Sequence, residues 1–206
     1  MNTKIQLYRL HQKSNYQYCI MLFPFRLFYS LNDDSKSPKN TEYSINKEIP
    51  DYITDILHAF AEGYNIYLGK YHLMHPLKSG IYFDKGAKFI DIMIENIPIQ
   101  KGLVAAELVD NSALFGKEES MRGSAIRILL DRNLIKNSAT PIHELFHVFQ
   151  YNYCSFNNMW FMEGLARWGQ NITHERQDRP ENCHPTVKNL KPSCNAHMMQ
   201  SIFGDA

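Results

Sequence analysis

The segment TPIHELFHVFQ, residues 140–150, constrains the fold of this chain more than any other. Thr140 is a good helix N-cap, and Pro141 suits the first helical position because the N–H that proline lacks has no helical partner there. A helix that starts here carries His143 and His147 one turn apart, so both imidazole rings leave the same face. The apolar residues around them predict that the helix is buried in a core.

Two histidines on one face of a helix can converge on a single metal ion. Glu144, beside the first histidine, can hold a water near that ion and accept its proton. This HExxH arrangement is typical of zinc hydrolases and predicts Zn²⁺ bound by His143 and His147, with Glu144 as the general base. The alternative is a helix with two surface histidines, because a chain with nine histidines can match the pattern by chance.

A second apolar segment, residues 159–168, contains one acidic residue, Glu163. It follows Asn157 and Asn158, which are both reasonable helix caps. A carboxylate on a buried helix costs free energy unless it is paired or bound to a metal ion. Glu163 therefore either pairs with Arg167 one turn further on or completes a His-His-Glu zinc site, and the apolar surroundings favour the ligand role.

The sequence HELFH followed by WFMEGLARW resembles the gluzincin branch of the zincin metallopeptidases. In that branch an HExxH helix and a downstream helix with a Glu-Gly-x-Ala motif supply three protein ligands. More narrowly, residues 138–168 are similar to bacterial proteins with a peptidase-like domain that are often exported. The resemblance implies that His143, His147 and Glu163 bind Zn²⁺ and that Glu144 is the general base of a peptidase.

Some family features are missing or unassigned. Thermolysin-like enzymes have an acidic residue one turn after the Glu ligand, where this chain has Arg167. The chain after Glu163 is short for the C-terminal subdomain that usually forms the far wall of the cleft. A catalytically inactive or truncated zincin-fold binding protein is therefore the alternative to a peptidase. The donor that would stabilise the oxyanion is left open among Tyr151, Tyr153, His174 and His184.

Hydrophobic periodicity predicts the elements that precede the site. Residues 50–68 repeat apolar side chains at helical spacing and should form an amphipathic helix that ends near Gly69. Short apolar or alternating runs predict strands at residues 80–84, 89–94, 102–109 and 124–130. The predicted fold class is α+β, a zincin-like domain with a small mixed β-sheet, an HExxH helix and a second helix that carries Glu163.

We place this zincin-like domain at residues 49–172. Residues 1–48 are predicted to be an N-terminal extension or linker, because residues 32–47 are polar. The apolar run at residues 19–25 is an export signal, a degraded leader or an ordinary buried strand. It is too short to span a bilayer as a helix.

Residues 173–206 are predicted to form a polar C-terminal tail. Cys183 and Cys194 in this tail could form a disulfide or stay as free thiols. Together with His184 and His197 they could also form a second zinc cluster, although the spacing fits no familiar finger pattern.

Composition narrows the possible partners. The chain has 206 residues, of which 44% are hydrophobic and 21% charged, as is typical of a globular domain. Its formal net charge of +1 does not suggest nucleic acid or an anionic membrane as a partner. We therefore expect a peptide or protein substrate. The location is open between the cell envelope, which the resemblance suggests, and the cytoplasm.

Overall fold

The computed structural model describes residues 4–10, 14–39, 41–44, 47–98, 101–153 and 158–173. Within these ranges the chain forms six strands and four α-helices. The strands are β1 (Gln6–Arg9), β2 (Tyr18–Leu22), β3 (Phe25–Tyr29), β4 (Phe89–Glu95), β5 (Gly102–Asp110) and β6 (Ser124–Asp131). The helices are α1 (Asp51–Gly69), α2 (Ile81–Asp84), α3 (Thr140–Tyr153) and α4 (Met159–Thr173).

The strands form one mixed sheet in the order β1-β2-β3-β4-β6-β5. The first three strands pair antiparallel in chain order, and β4 pairs parallel with both β3 and β6. β5 pairs antiparallel with β6 and lies at the edge of the sheet. The α+β class and the mixed sheet agree with the prediction, although the sheet is larger than the three or four strands expected.

Three helices and three strands form where the sequence predicts them. The predicted helix at residues 50–68 is α1, and the two predicted site helices are α3 and α4. The predicted strands at residues 89–94, 102–109 and 124–130 are β4, β5 and β6. None of the helices in the described part of the chain is long and apolar enough to cross a membrane.

Helices α1 and α3 pack on one face of the sheet and on each other, and they form the main core. The rings of Phe60 and Tyr64 from α1 lie against Phe25 of β3, with ring centroids 5.5 and 5.4 Å apart. Tyr67, one turn further along α1, lies against Phe146 of α3 at 5.2 Å. These aromatic contacts fix α3 between the first helix and the sheet.

The predicted N-terminal extension at residues 1–48 needs correction. Its described residues include β1, β2 and β3, which form half of the sheet, and the apolar run at residues 19–25 supplies β2 and the start of β3. β3 pairs in parallel with β4, far along the chain, and all five of its residues are buried. The boundary at residue 49 therefore does not separate β1 to β3 from the domain.

The predicted strand at residues 80–84 is also wrong, because Ile81–Asp84 forms the short helix α2. Gly80 has a φ of 85°, which turns the chain into the helix, and its carbonyl accepts a hydrogen bond from the N–H of Asp84. Tyr82 is buried, and its backbone N–H donates to Asn152 of α3. A short apolar run without a long alternation fits a buried helical turn as well as a strand.

The opposite face of the sheet holds a buried ion pair. The alternation of apolar and polar residues in β4 predicts that one face of the strand is buried. Both faces are buried, because a second hydrophobic cluster, which includes Phe28, Met93 and Phe115, covers the face opposite the main core. Arg26 of β3 donates to Asp91 of β4 through Nε at 2.6 Å and through Nη2 at 2.8 Å, and both side chains are fully buried. Asn111 donates to the same carboxylate at 2.7 Å. This two-fold contact ties the N-terminal strands to the centre of the sheet.

Replacing Arg26 tests whether β3 belongs to the folded domain. We expect Arg26→Met to lower the free energy of unfolding by about 3–5 kcal/mol, because it leaves the Asp91 carboxylate buried without its cation. The double variant Arg26→Met with Asp91→Leu should recover much of that loss, because no buried charge is left. Lys36→Met, at a half-buried surface ion pair with Asp33, should cost at most about 1 kcal/mol. Urea unfolding followed by circular dichroism measures all three, and a parent-like Arg26→Met would contradict the prediction.

Candidate metal centre

Helix α3 holds three of the four predicted site residues. It begins at Thr140, and the Ala139 carbonyl accepts the first helical hydrogen bond, from the N–H of His143, so the cap lies one residue before the predicted Thr140. The rings of His143 and His147 have centroids 4.9 Å apart and planes at 83°. One helical turn thus places two imidazoles side by side, as the spacing predicts.

Helix α4 brings Glu163 to both histidines. Its Oε2 lies 3.1 Å from Nε2 of His143, and its Oε1 lies 3.3 Å from Nε2 of His147. The three residues offer ligand atoms that all lie within 4.8 Å of one another. Among the described residues, the ion pairs of Glu163 are with these histidines and not with Arg167. The structure therefore brings together the three residues that were predicted to bind a metal.

Glu163 on α4 is much more exposed to solvent than the two histidines on α3. The exposed fraction is 47% for Glu163, 14% for His143 and 7% for His147. The buried surroundings expected for Glu163 are wrong in part, because Trp160, one turn earlier on α4, is 65% exposed. The cluster is therefore open to solvent on the side of α4, where a ligand could enter.

The distance between α3 and α4 depends on a glycine. A Cβ atom at buried Gly169 would lie 2.2 Å from Cδ2 of Phe146, closer than real Cβ contacts come. The ring of Phe146 is itself buried and also lies against Trp168, with centroids 6.0 Å apart. The ring therefore has little room to move. The missing side chain allows α4 to approach α3 closely enough for Glu163 to reach the histidines.

Gln150 connects the two helices next to the histidines. Its Nε2 donates to the carbonyl of Met162 at 3.0 Å, and its Oε1 lies 2.7 Å from Nδ1 of His147. Because the Met162 carbonyl can only accept, the amide is oriented with Oε1 as the acceptor toward His147. Nδ1 of His147 then carries the proton, and Nε2 of the neutral ring presents a lone pair to Glu163.

Glu144 lies on a different side of α3, against the edge strand of the sheet. A Cβ atom at Gly102, the first residue of β5, would lie 2.6 Å from Oε1 of Glu144. Burial, and then the negative charge of Glu163, raise the pKa of Glu144 to about 8. Glu144 is therefore buried and close enough to Glu163 for the charge of Glu163 to raise its pKa. It is not one of the three residues of the metal-ligand cluster.

The electrostatics of His147 favour a neutral ring. Burial lowers the pKa of His147, and the neighbouring His143 lowers it further. The charge of Glu163 and the hydrogen bond to Gln150 act in the opposite direction. Neutral imidazole is the form that binds metal ions.

Two of the four candidate oxyanion donors lie within the described residues. Tyr151 stacks on His147, with ring centroids 6.0 Å apart and planes at 19°. Burial raises the pKa of Tyr151, and so do the charges of Glu163 and Glu144, which places Tyr151 near the site. The hydroxyl of Tyr153 accepts a hydrogen bond from the N–H of Met74 at 2.7 Å and so holds a loop instead.

The predictions for the C-terminal tail concern residues beyond the described part of the chain. The candidate donors and zinc ligands there are His174, His184, Cys183, Cys194 and His197.

Sequence reasoning missed Gln150 and Gly102. Gln150 follows His147 by three residues, and that helical spacing could have pointed to a contact with its ring. Gly102 is distant from Glu144 in sequence, and only the packing of β5 against α3 reveals their contact.

Comparisons of the chain with models of protein families, with curated proteins and with solved structures found no match. The functional interpretation therefore rests on the residues of the site.

Substitution of Gly169 tests the packing of the two site helices. We expect Gly169→Ala to lower the free energy of unfolding by about 1–3 kcal/mol, because the added methyl group overpacks against Phe146. Gly164→Ala on the same helix is the matched control, because an added Cβ there has nothing within 4 Å. The control should be neutral or stabilise the protein by up to about 1 kcal/mol. Equal midpoints for the two variants in urea unfolding would refute the close contact.

Proposed function

We propose that the protein is a zinc-dependent metallopeptidase with a zincin-like fold. In this proposal His143, His147 and Glu163 hold Zn²⁺, and Glu144 assists the attack of water on a peptide bond. The observation that carries the proposal is that three ligand atoms, one from each of these three residues, lie within 4.8 Å of one another. Glu144 is buried and is not one of the three ligands. The α+β architecture with a mixed sheet is compatible with the proposed zincin-like fold.

A cation between Glu163 and the histidines satisfies a contact that is otherwise unfavourable. Because Oε1 of Gln150 accepts a hydrogen bond from Nδ1–H of His147, Nε2 of the neutral ring presents a lone pair to Oε1 of Glu163, 3.3 Å away. A lone pair and a carboxylate repel each other at this distance unless a proton or a metal ion lies between them. Burial disfavours the proton by lowering the pKa of His147. A divalent cation is therefore the better partner for the pair.

The donor set and its spacing also fit zinc. Two imidazoles and one carboxylate are typical of catalytic zinc sites, in which ligands about 2.0–2.1 Å from the ion leave one position open. Such ligands lie roughly 3.4 Å apart in a tetrahedral site. The carboxylate of Glu163 lies 3.1 Å from His143 through Oε2 and 3.3 Å from His147 through Oε1. One ligand atom from each residue lies within 4.8 Å of the others, so a small inward movement of the side chains would complete the site. When bound, the ion would polarise a scissile carbonyl and make a coordinated water more acidic.

Glu144 has the properties of a proton carrier. Its carboxylate is buried, and its raised pKa of about 8 lies near neutral pH. Among the described residues, no hydrogen bond engages this carboxylate, so its oxygens are free to bind water. The ionised form of Glu144 can accept a proton from the attacking water, and the raised pKa favours the protonated form that then donates to the leaving nitrogen.

The edge strand β5 supports a peptide as the substrate. Among the described strands, β5 pairs only with β6, and its first residue lies against Glu144. The N–H of Asp131 donates to the carbonyl of Lys101, so in the antiparallel pattern the next residue, Gly102, directs its N–H and C=O outward. An extended peptide can add to such an edge through main-chain hydrogen bonds. A peptide bound there would pass beside the general base.

Elemental analysis and a cleavage assay test the proposed function. We expect one zinc per chain in the dialysed parent and in Glu144→Gln, and a much lower content in Glu163→Ala, which loses a ligand. The parent should cleave members of a peptide library, and Glu144→Gln should lose at least about 100-fold in rate. A parent without zinc would refute the site. A parent that holds zinc and cleaves nothing would favour a zincin-fold binding protein.

Gln150→Met tests how His147 is held. We expect this change to weaken zinc binding by about 10–100-fold, because the Nδ1 proton of His147 loses its acceptor. Gln170→Met on α4 is the control, because among the described residues the side chain of Gln170 forms no hydrogen bond. Competition with a chromophoric chelator measures both affinities. Equal affinities for the two variants would show that the bond to Gln150 does not support the metal site.

A further inference from the structure

The closest approach between the sheet and Glu144 is at Gly102. A Cβ atom at this position would lie 2.5 Å from Cγ, 2.6 Å from Oε1 and 2.7 Å from Cδ of Glu144. These three atoms of Glu144 are also the three atoms nearest to such a Cβ. Any side chain at position 102 would therefore meet the carboxylate of Glu144, the proposed base, before any other group.

The backbone does not explain the glycine. The positive-φ glycines in the described part of the chain are Gly80, Gly86, Gly116 and Gly123, so Gly102 has a conformation that other residues can adopt. It also stands in regular register with Leu130 of β6. Glycine weakens a strand and often marks a place where another group approaches closely. At position 102 the approaching group is the side chain of Glu144.

We propose that Gly102 positions Glu144 for the reaction: its missing side chain provides the space in which the carboxylate lies, and the backbone of the edge strand bounds that space. This inference rests on the proposed function. It assigns Gly102 as a positioning residue, because Gly102 acts through Glu144. The same residue directs its own N–H and C=O away from β6, to an edge that no other described strand pairs, so Gly102 would make room for the base and also contact a peptide docked on β5.

An alanine at position 102 should displace the carboxylate and leave the strand in place. The backbone around residue 102 is held by the hydrogen bond between Asp131 and Lys101 and by pairing with β6, which is an interior strand. The side chain of Glu144, in contrast, has several rotatable bonds and can turn away from the new methyl group. The metal-binding atoms of His143, His147 and Glu163 are not among the atoms that the new methyl group would meet first.

Steady-state kinetics on a cleaved peptide tests the proposal. We expect Gly102→Ala to lower kcat by about 10–100-fold, with a smaller change in KM and an unchanged zinc content, because the base is misplaced while the ligands are not. Gly69→Ala, where an added Cβ has nothing within 4 Å, should match the parent. A Gly102→Ala variant with the parent's kcat would overturn the positioning role while leaving the proposed peptidase intact.

A double-mutant cycle separates positioning from a general structural effect. Glu144→Asp shortens the side chain and should slow the parent strongly, but it should slow Gly102→Ala much less, because the shorter carboxylate fits beside the methyl group. Independent effects that simply multiply would contradict the proposal. If Gly102→Ala lowers the thermal midpoint, Gly102→Ala with Glu144→Ala should restore it, since the clash is with that side chain. Failure to restore the midpoint would also contradict it.

Binding of acetohydroxamate to the zinc-loaded protein gives a readout that needs no turnover. This ligand chelates a metal ion through two oxygens and has N–H and O–H groups that can donate to a neighbouring carboxylate. Titration calorimetry should show weaker binding to Gly102→Ala and to Glu144→Gln by similar factors, and unchanged binding to Gly69→Ala. If the parent binds zinc but cleaves nothing, the peptidase fails and this measurement still decides the role of Gly102. A parent that binds no zinc overturns both.

Discussion

The close packing of α4 on α3 is the contact on which the candidate metal centre depends. At Gly169 the backbone of α4 lies against the ring of Phe146, at a separation that no larger residue permits. At the same interface Gln150 donates to the carbonyl of Met162, the residue before Glu163. The apolar contact sets the distance between the helices, and the hydrogen bond fixes the turn of α4 from which Glu163 projects. The position of Glu163, the proposed third ligand, follows from both.

Helix α3 separates its chemical roles by direction. Consecutive residues in an α-helix point about 100° apart, because 3.6 residues complete a turn. His143 and His147 therefore face α4 together, while Glu144 points to a different neighbour, the edge strand β5. The remaining side of the helix is apolar and packs on α1 and the sheet. The proposed metal ligands on α3 and the proposed base are thus close in sequence but face different elements.

Local signals in the sequence predicted the elements of the site well, because caps and helical spacing are properties of a few neighbouring residues. That holds for α1, α3 and α4, and for the pairing of His143 with His147. What failed depends on distant partners. The hairpin strand β3 gains its place from parallel pairing with β4, and the polar segment between them looked like a linker. Gly102 is recognisable only once β5 is packed on α3, and the bond from Gln150 to Met162 only once α4 is in place, because both contacts join distant parts of the chain.

The order of the strands explains why Glu144, the proposed base, lies at the edge of the sheet. β6 inserts between β4 and β5, so β5 becomes the outermost strand although it follows β4 in the chain. The chain passes from β6 into α3, which packs against both β5 and β6. An open edge with unpaired N–H and C=O groups is normally a liability, because it can pair with other chains. Here that edge begins beside Glu144, and the outward N–H and C=O of Gly102, which no other described strand pairs, are what an extended peptide would need in order to bind next to the proposed base.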